Sequence, residues 1–226
     1  MPPPEDPVAL VTGGSRGIGK AIAERLKEDG FTVATLGRTG GDVQADVGDS
    51  ASVAAAFEEV RERFGPVLVL VNSAGQRQDG LAIQLSADQW ESVVNTNLNG
   101  AFHCMRNALD DMLTARWGRI VNISSVVGER ANPGQSNYGA SKAGMLSLTR
   151  TVAREMGKKG ITCNAITPGV IETDMTAEVS DKLLAEVPAG RLGQPEEVAH
   201  AVSFLCSDGA AYINGATLAV DGALAA

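Results

Sequence analysis

Short runs of β-branched and aliphatic residues alternate with stretches of helical periodicity along the whole chain, and this alternation is the strongest constraint on its fold. The strands that we predict are Val8–Thr12, Thr32–Leu36, Asp42–Asp46, Val67–Asn72, Arg119–Ser124, Ile161–Ile166 and Thr217–Val220. The helices that we predict cover residues 17–29, 50–64, 87–115, 136–157 and 195–206. Apolar strands separated by helices indicate a parallel sheet with helices on both faces, which is a doubly wound α/β fold. We expect one domain over residues 1–226, with its ligand at the carboxyl ends of the strands.

The composition excludes several classes of protein. The chain has 27 Asp+Glu against 19 Lys+Arg, a net charge of −8, whereas a nucleic-acid-binding surface is basic. No apolar run could span a bilayer, and residues 1–6 lack the basic and apolar regions of a secretory signal. Cys104, Cys163 and Cys206 are widely spaced, and two histidines leave little room for a metal site. We therefore expect a cytoplasmic protein with reduced, mostly buried cysteines, no metal, and no membrane or nucleic-acid partner.

A glycine-rich turn follows the first predicted strand and precedes a predicted amphipathic helix. The turn reads Gly13-Gly14-Ser15-Arg16-Gly17-Ile18-Gly19. Glycines allow a tight turn and a close approach to a pyrophosphate, whose charge the amides at the helix N-terminus then meet. Between a strand and a helix, this pattern indicates a dinucleotide-binding sheet of the Rossmann type.

The same turn also contains the spacing of a nucleophile elbow, Gly13-x-Ser15-x-Gly17, which serine hydrolases place between a strand and a helix. A hydrolase also needs a catalytic histidine, but His103 and His200 both lie within predicted helices. An elbow on the first strand leaves no earlier strand to help form the oxyanion hole. We therefore prefer the nucleotide-binding interpretation.

The end of the second predicted strand indicates which dinucleotide binds. NAD-binding sheets usually carry an acid there for the ribose, whereas this chain has Arg38, and Arg16 lies in the glycine turn. Two guanidinium groups suit the 2′-phosphate of NADP(H), although both could instead be solvated surface arginines. The stretch from Leu36 to Asp46 leaves room for a turn and a strand but hardly for a helix, and Asp46 with Val47 would flank the adenine.

A serine, a tyrosine and a lysine follow the fifth predicted strand in a suggestive order. Ser125 comes at the end of that strand, Tyr138 follows thirteen residues later, and Lys142 follows Tyr138 by four. A separation of four brings two helix side chains to one face, where an ammonium group would lower the pKa of the phenol. Such a tyrosine could protonate a carbonyl oxygen, and the Ser125 hydroxyl could stabilise the developing charge. A helix tyrosine beside a solvated lysine is the alternative, because this spacing is common.

With these motifs in this order, the chain resembles the short-chain dehydrogenase/reductase family over nearly its whole length. The stretches that carry the resemblance are Thr12–Gly19, Asn72-Ser73-Ala74-Gly75, Asn97 in Asn95-Thr96-Asn97, Ser125 with Tyr138 and Lys142, and Pro168-Gly169 with Ile171 and Thr173. The resemblance implies a homotetrameric oxidoreductase that binds NADP(H) through the glycine turn and these later loops. Within the family, the chain is similar to reductases that convert 3-oxoacyl thioesters on an acyl carrier protein to 3-hydroxyacyl thioesters during fatty-acid synthesis.

The resemblance also implies a role for each catalytic residue. Tyr138 would donate the proton, Ser125 would hold the substrate oxygen and Lys142 would bind the nicotinamide ribose. Asn97 would anchor a water that refills the proton relay. Two departures concern the loops beside the cofactor: Ser73 replaces an asparagine of the family's Asn-Asn-Ala-Gly element, and the stretch 37–47 lacks the usual helix.

An acidic chain and an acidic carrier protein repel each other, so docking would need a basic patch near the mouth of the site. The candidates are Arg116 and Arg119 before the fifth strand and Lys158 and Lys159 before the sixth. The resemblance matches Arg116 and Lys159 to docking residues of related reductases, although these cations could equally stabilise helix C-termini. The polar segment Glu172–Glu196 could form a substrate lid or a plain surface loop.

Two other functions stay open at this point. One is a carbonyl reductase for a polyketide, a sugar or another secondary alcohol, and the other is a dinucleotide-binding regulator without turnover. The intact set of Ser125, Tyr138 and Lys142 argues against the regulator. A reductase for 3-oxoacyl thioesters, with NADP(H) as its cofactor, is the function that we expect.

Overall fold

The computed structural model describes residues 4–173 and 184–226, and the strands in this part of the chain form one sheet. In chain order they are β1 (Val8–Thr12), β2 (Thr32–Gly37), β3 (Val43–Gln44), β4 (Val67–Asn72), β5 (Gly118–Ile123), β6 (Ile161–Pro168) and β7 (Thr217–Val220). Across the sheet the order is β3-β2-β1-β4-β5-β6-β7, and every neighbouring pair is parallel. The chain thus winds outward in both directions from β1 and β4, which confirms the predicted doubly wound α/β fold.

Helices cover both faces of this sheet. In chain order they are α1 (Gly17–Glu28), α2 (Ser50–Arg63), α3 (Ala87–Val94), α4 (Gly100–Ala115), α5 (Ser136–Met156) and α6 (Pro195–Cys206). Local side chains fix where some of them begin: the Asp49 carboxylate accepts the Ala51 amide before α2, and Ser86 and Gln89 form a reciprocal capping box at α3. Among the residues described, no helix is both long and apolar enough to cross a membrane.

Two apolar layers hold the helices on the sheet. On one face α2, α4 and α5 pack through buried side chains such as Phe57, Met105 and Met145. On the other face α1 and α6 pack through Ile22 and Leu205. Truncating a fully buried side chain of this size to alanine typically costs about 2–5 kcal/mol of stability. These layers hold the strand ends, and hence the loops that follow them, in fixed positions.

The three cysteines belong to these layers. Cys104, Cys163 and Cys206 are free and buried, as predicted. Burial raises the pKa of Cys104 and of Cys206 to about 12, so neither thiol ionises readily near neutral pH. Their role in the fold is that of small apolar side chains.

The strand β3 is shorter than predicted. It holds only Val43–Gln44 rather than Asp42–Asp46, because Asp42 folds back onto β2. The Asp42 carboxylate accepts the Thr35 amide at 2.9 Å and the Thr35 hydroxyl at 2.8 Å. The connection between β2 and β3 is a turn without a helix, which confirms the truncation inferred from the spacing.

The helix predicted over residues 87–115 is interrupted. It consists of α3 and α4, joined by a π-helical turn at Asn95–Asn99. Such turns are rare inside α-helices and are frequent at functional sites. This one contains Asn97, which was assigned to the site from the sequence.

Candidate active site

A cleft of about 890 Å3 opens where β1, β4, β5 and β6 end, at the edge of the sheet where the ligand was expected. Its wall contains most of the predicted site residues, namely Gly13, Ser15, Arg16, Gly17, Ile18, Gly19, Arg38, Asp46, Val47, Ser73, Ala74, Gly75, Ser125, Tyr138, Lys142, Pro168, Gly169, Ile171 and Thr173. Three predicted residues, Gly14, Asn72 and Asn97, are not part of the wall. The fold therefore brings the glycine turn and the Ser–Tyr–Lys set into one cleft.

The glycine turn between β1 and α1 packs closely on its neighbours. Gly13 has a φ of +68°, and a Cβ there would lie 3.0 Å from the Ala74 backbone. A Cβ on Gly19 would lie 2.2 Å from the Gly13 carbonyl oxygen, so a side chain does not fit. Gly14 serves packing instead, because a Cβ there would lie 2.7 Å from the Thr35 side chain. The turn leaves bare backbone and the N-terminal end of α1 in the cleft wall, which suits a pyrophosphate.

Thr12 ties the loop after β4 to this turn. Its buried hydroxyl accepts the Ser73 amide at 3.1 Å and the Ala74 amide at 3.0 Å. Because backbone amides make both bonds, the departure from the family pattern at Ser73 does not alter this anchor. The sequence placed Thr12 in the glycine motif but gave no sign of this positioning role.

Asn72 belongs to a buried polar chain beneath the cleft. Its Nδ2 donates to Asn122 Oδ1 at 2.8 Å, and Asn122 Nδ2 donates to Thr149 Oγ1 at 2.8 Å. These bonds join β4, β5 and α5. The structure thus gives Asn72 a place in holding the sheet together rather than in the cleft wall, where the family resemblance had placed it.

Asn97 is fully buried in the π-helical turn and joins separate segments behind the cleft. Its Oδ1 accepts the Gln76 amide at 2.9 Å, while its Nδ2 donates to the Gln76 carbonyl oxygen at 3.0 Å and to Ser141 Oγ at 3.1 Å. Gly75 lies between Asn97 and the Lys142 ammonium group. A Cβ on Gly75 would lie 3.4 Å from Asn97 Oδ1 and 3.6 Å from Lys142 Nζ. Asn97 therefore fixes the loop after β4 against α5 and next to Lys142.

Ser125, Tyr138 and Lys142 meet beyond the end of β5. Tyr138 and Lys142 lie one turn apart on α5, and Lys142 Nζ is 5.6 Å from the centre of the Tyr138 ring. Ser125 Oγ accepts the Val127 amide at 3.2 Å, and the hydroxyl is close enough to the Tyr138 phenol to influence its pKa. Lys142 is only 4% exposed, and its Nζ donates to the Ile123 carbonyl oxygen at 2.8 Å. The three side chains form one contiguous group in the cleft wall.

The expected lowering of the Tyr138 pKa is wrong for this structure. Burial is the largest influence on the phenol and raises its pKa, while the Ser125 hydroxyl and the charge of Arg77 oppose it. The Lys142 ammonium, 5.6 Å from the centre of the ring, does not outweigh this effect of burial. Burial also lowers the pKa of Lys142 to about 8. At neutral pH Tyr138 therefore keeps its proton and Lys142 is mostly charged, which is the state that a proton donor requires.

The turn between β2 and β3 is held by a link between Thr35 and Asp42, which we call the Thr35–Asp42 latch. In addition to the two bonds to the Asp42 carboxylate, the Asp42 amide donates to the Thr35 hydroxyl at 3.0 Å. Burial acts to raise the pKa of the Asp42 carboxyl, but the hydrogen bonds from Thr35 outweigh it, so the pKa lies below its ordinary value. Gly41 packs against the Thr35 backbone with a φ of +113°.

The latch folds this turn over the glycine turn. A Cβ on Gly40 would lie 3.3 Å from Ser15 Cβ. Arg38 thereby enters the same wall as Arg16, and both side chains are exposed. Asp46 and Val47 complete this end of the cleft.

The sequence missed several residues of the wall. Among them are Gln76, Arg77, Arg130, Gln135, Glu186 and Leu224. The first two directly follow the loop 73–75 after β4, which was already assigned to the site, so their position in the chain was a usable signal. Glu186 and Leu224 come from distant segments and carried no such signal.

The structure leaves the hydrolase interpretation without support. Neither His103 nor His200 lines the cleft, and His103 Nδ1 lies 3.1 Å from the Val47 carbonyl oxygen. Within residues 4–173 and 184–226, no group of three or more His, Cys, Asp and Glu side chains could hold a metal ion. Of the predicted lid, residues 174–183 lie outside the described part of the chain.

The basic docking candidates lie at the other edge of the sheet. Arg116 and Lys159 are exposed just before β5 and β6 begin, whereas the cleft lies where these strands end. The patch expected beside the mouth of the chain's own site is therefore not formed by these residues. Arg119 is wrong as a docking candidate because it is only 4% exposed, with its guanidinium 4.4 Å from the centre of the Trp117 ring.

Comparison with known proteins identifies the family. A family profile described as "Enoyl-(Acyl carrier protein) reductase" matches residues 13–224. The 3-oxoacyl-[acyl-carrier-protein] reductase FabG of Pseudomonas aeruginosa is 46% identical, and the alignment covers 96% of each chain. The protein of the same name in Escherichia coli is 44% identical over 97% of this chain and 98% of its own, and that of Staphylococcus aureus is 44% identical over 96% and 97%. The chain therefore belongs to the short-chain dehydrogenase/reductase family, whose members are oxidoreductases that use a nicotinamide cofactor.

Proposed function

We propose that this protein uses NADPH to reduce 3-oxoacyl thioesters carried by an acyl carrier protein to 3-hydroxyacyl thioesters. The observation that carries the proposal is that Ser125, Tyr138 and Lys142 share one cleft wall with a glycine turn suited to a pyrophosphate. Relatives of 44–46% identity that are named for this activity support the substrate class.

The residues of the cleft fit a nicotinamide dinucleotide. Gly13 and Gly19 have no room for a side chain where the pyrophosphate would approach. Arg16 and Arg38 suit the 2′-phosphate of NADP(H), and Asp46 and Val47 would flank the adenine. The loop 73–75 and residues Pro168, Gly169, Ile171 and Thr173 would hold the nicotinamide half. When bound, the nicotinamide supplies the hydride that reduces the ketone carbon.

Tyr138 is the proton donor in this proposal. Its raised pKa keeps the phenol protonated until substrate arrives. The substrate oxygen would accept hydrogen bonds from Tyr138 and Ser125, and it would take the Tyr138 proton as negative charge develops on it. Ser125 would thereby orient the carbonyl group and spread the charge.

Lys142 has two roles in this proposal, one in binding the cofactor and one in stabilising the Tyr138 phenolate. One of its three hydrogens is donated to the Ile123 carbonyl oxygen, and we assign the remaining two to the ribose hydroxyls of the nicotinamide half. The nearby cation would stabilise the Tyr138 phenolate that remains after transfer. Asn97 positions the loop beside Lys142, and its part in anchoring a relay water stays a prediction.

The carrier protein would reach the cleft of a neighbouring copy. Arg116 and Lys159 lie at the edge of the sheet opposite the cleft, so a carrier docked on them is poorly placed to serve the same copy. An acidic carrier suits these two exposed cations. This arrangement agrees with the homotetramer that we expect from the family resemblance.

A second candidate function is reduction of the carbon–carbon double bond of an enoyl thioester. The matching family profile, which is described as an enoyl-(acyl carrier protein) reductase, favours it. In that reaction the hydride goes to the β-carbon, and Tyr138 would donate its hydrogen bond to the thioester oxygen. The same cleft could bind both substrates, so turnover has to separate them.

The test is NADPH oxidation by the purified full-length chain with an acetoacetyl thioester and, separately, a crotonyl thioester. We expect turnover of the acetoacetyl substrate and at most a trace with the crotonyl one. The reverse pattern would establish the second candidate. Oxidation only with ketones that are not thioesters would indicate the carbonyl reductase, and NADPH binding without any oxidation would indicate the regulator.

A further inference from the structure

A small apolar cluster lies beside Ser125 in the cleft. Val126, Val187 and Leu224 are buried together, and Val127 and Val170 pack against them. All but Val187 belong to the cleft wall. Since Val126 directly follows Ser125, a substrate whose ketone oxygen met Ser125 would have apolar surface next to its acyl chain.

A charged pair borders this cluster. Arg130 Nη1 donates to the Leu224 carbonyl oxygen at 2.8 Å, and Arg130 Nη2 donates to Glu186 Oε2 at 3.0 Å. Both charged side chains line the cleft. We call these two bonds the Arg130 strap, because they tie the segment after β5 to the C-terminal turn and to the segment that contains Glu186.

Bonds other than the Arg130 strap also hold the C-terminal turn. The Asp221 carboxylate accepts the Ala223 and Ala225 amides, each at 2.9 Å. The Gly222 carbonyl oxygen accepts the Ala189 amide at 3.1 Å. These bonds shape the turn, whereas the strap bonds Leu224 directly to the segment that follows Ser125.

We propose that the Arg130 strap limits the length of the acyl chain, so that the preferred substrates are short 3-oxoacyl thioesters. This inference rests on the proposed function. A short chain would stay on the apolar cluster. A longer chain would run onto the guanidinium and carboxylate and strip water from them, or it would have to break the strap, and both are unfavourable.

The test compares the wild type with Arg130→Met, which keeps an unbranched side chain but removes both bonds of the strap. A series from acetoacetyl to 3-oxododecanoyl thioester is assayed with NADPH. We expect wild-type kcat/KM to fall along the series. In Arg130→Met, kcat/KM for the longest substrate should rise about tenfold through a lower KM, the gain from burying roughly two more methylene groups. The quantity compared is the ratio of kcat/KM for the longest substrate to kcat/KM for the acetoacetyl thioester.

Two further variants make the result specific. Glu186→Gln removes the ion pair but leaves the bond to Leu224, so we expect a smaller shift in the same direction. Arg191→Met is the matched control, because Arg191 also pairs with a glutamate, Glu197, at 2.7 Å but lies outside the cleft wall. It should leave the length profile unchanged.

Either of two outcomes would overturn the strap as a length limit. One is a wild type that uses all chain lengths equally. The other is a profile that Arg130→Met and Glu186→Gln leave unaltered while 3-oxoacyl thioesters are still reduced. A wild type that binds NADPH yet reduces no member of the series would overturn the proposed function and the strap together.

Discussion

Lys142 is a cation held almost out of water, which makes its charge sensitive to pH close to neutrality. Burial lowers its pKa from 10.5 to about 8. The ammonium form therefore predominates below that pH and is lost as the pH rises through it. A neutral amine would bind the ribose hydroxyls less firmly and would no longer stabilise the Tyr138 phenolate.

We expect kcat/KM for 3-oxoacyl thioester reduction to fall as the pH rises through about 8, because the Lys142 ammonium is lost. Steady-state rates on both sides of this pH measure it. Arginine stays charged throughout, so the residual activity of Lys142→Arg should lack this alkaline loss. The same alkaline loss in the variant would assign it to another group.

The same residue has the opposite effect on stability. Its pKa is lower in the folded chain than in the unfolded one, so above about pH 8 the unfolded chain binds the extra proton. The contribution of Lys142 to the free energy of unfolding should therefore rise from about pH 8 to 10.5. Denaturant unfolding of wild type and Lys142→Met across this range measures the difference, and parallel curves would count against the lowered pKa.

Residue spacing predicted part of this site and not the rest. The four-residue separation of Tyr138 and Lys142 was enough to place both on one face of α5, because helix geometry fixes it. The direction of the shift in the Tyr138 pKa was not predictable, since it depends on how deeply the phenol is buried. The position of Asn97 behind the wall depends likewise on its bonds to Gln76, which no spacing reveals.

Among the elements, the turn between β2 and β3 distinguishes this chain from the family pattern. It has no helix, yet it brings Arg38 into the wall with Arg16. The Thr35–Asp42 latch shapes the turn through side-chain bonds rather than through regular structure. Selectivity for NADPH should therefore depend on Asp42, although Asp42 does not itself line the cleft.

We expect Asp42→Ala to raise the Kd for NADPH about tenfold, or about 1.4 kcal/mol, because Arg38 loses its placement. The Kd for NADH should change much less, and stability should fall by about 1–3 kcal/mol as the Thr35 amide loses its partner. Nucleotide titration and denaturant unfolding measure these effects. Arg38→Ala is the comparison: it should weaken NADPH binding without the loss of stability. Equal weakening of NADPH and NADH binding would contradict this role of the latch.

The bounds of the long apolar strands were predictable from the sequence, whereas those of the short strand β3 and of the π-helical turn were not. The runs Val8–Thr12 and Val67–Asn72 have the predicted bounds because continuous burial on both faces demands continuous apolar residues. The two-residue β3 depends on the bond between Thr35 and Asp42. The π-helical turn at Asn95–Asn99 depends on the fit of a buried asparagine, and local periodicity contains no trace of it.

In the whole molecule, the two edges of the sheet carry different features. The carboxyl edge carries the cleft, and the amino edge carries the exposed cations Arg116 and Lys159. With a net charge of −8, the chain would need such local cations to attract the acidic carrier of the proposed function. The doubly wound fold was predictable from the sequence, but the separation of the cleft from these two cations became evident only in three dimensions.

We expect Arg116→Ala combined with Lys159→Ala to lower kcat/KM for carrier-linked substrate about tenfold, because the electrostatic attraction is lost. The same substrate on a pantetheine analogue should be reduced at the wild-type rate. Paired assays at low and high salt measure this, since screening should shrink the difference. Equal losses on both substrates would assign the two cations to the fold instead of to docking.

The measurement that bears most directly on the proposed chemistry is single-turnover oxidation of NADPH by an acetoacetyl thioester in Tyr138→Phe. We expect the rate to fall about 100- to 10,000-fold, the usual contribution of a positioned proton donor, while the Kd for NADPH stays unchanged. Tyr212→Phe is the matched control, because Tyr212 is fully exposed and outside the cleft, and it should keep the wild-type rate. A Tyr138→Phe variant that oxidised NADPH at the wild-type rate would show that another group donates the proton.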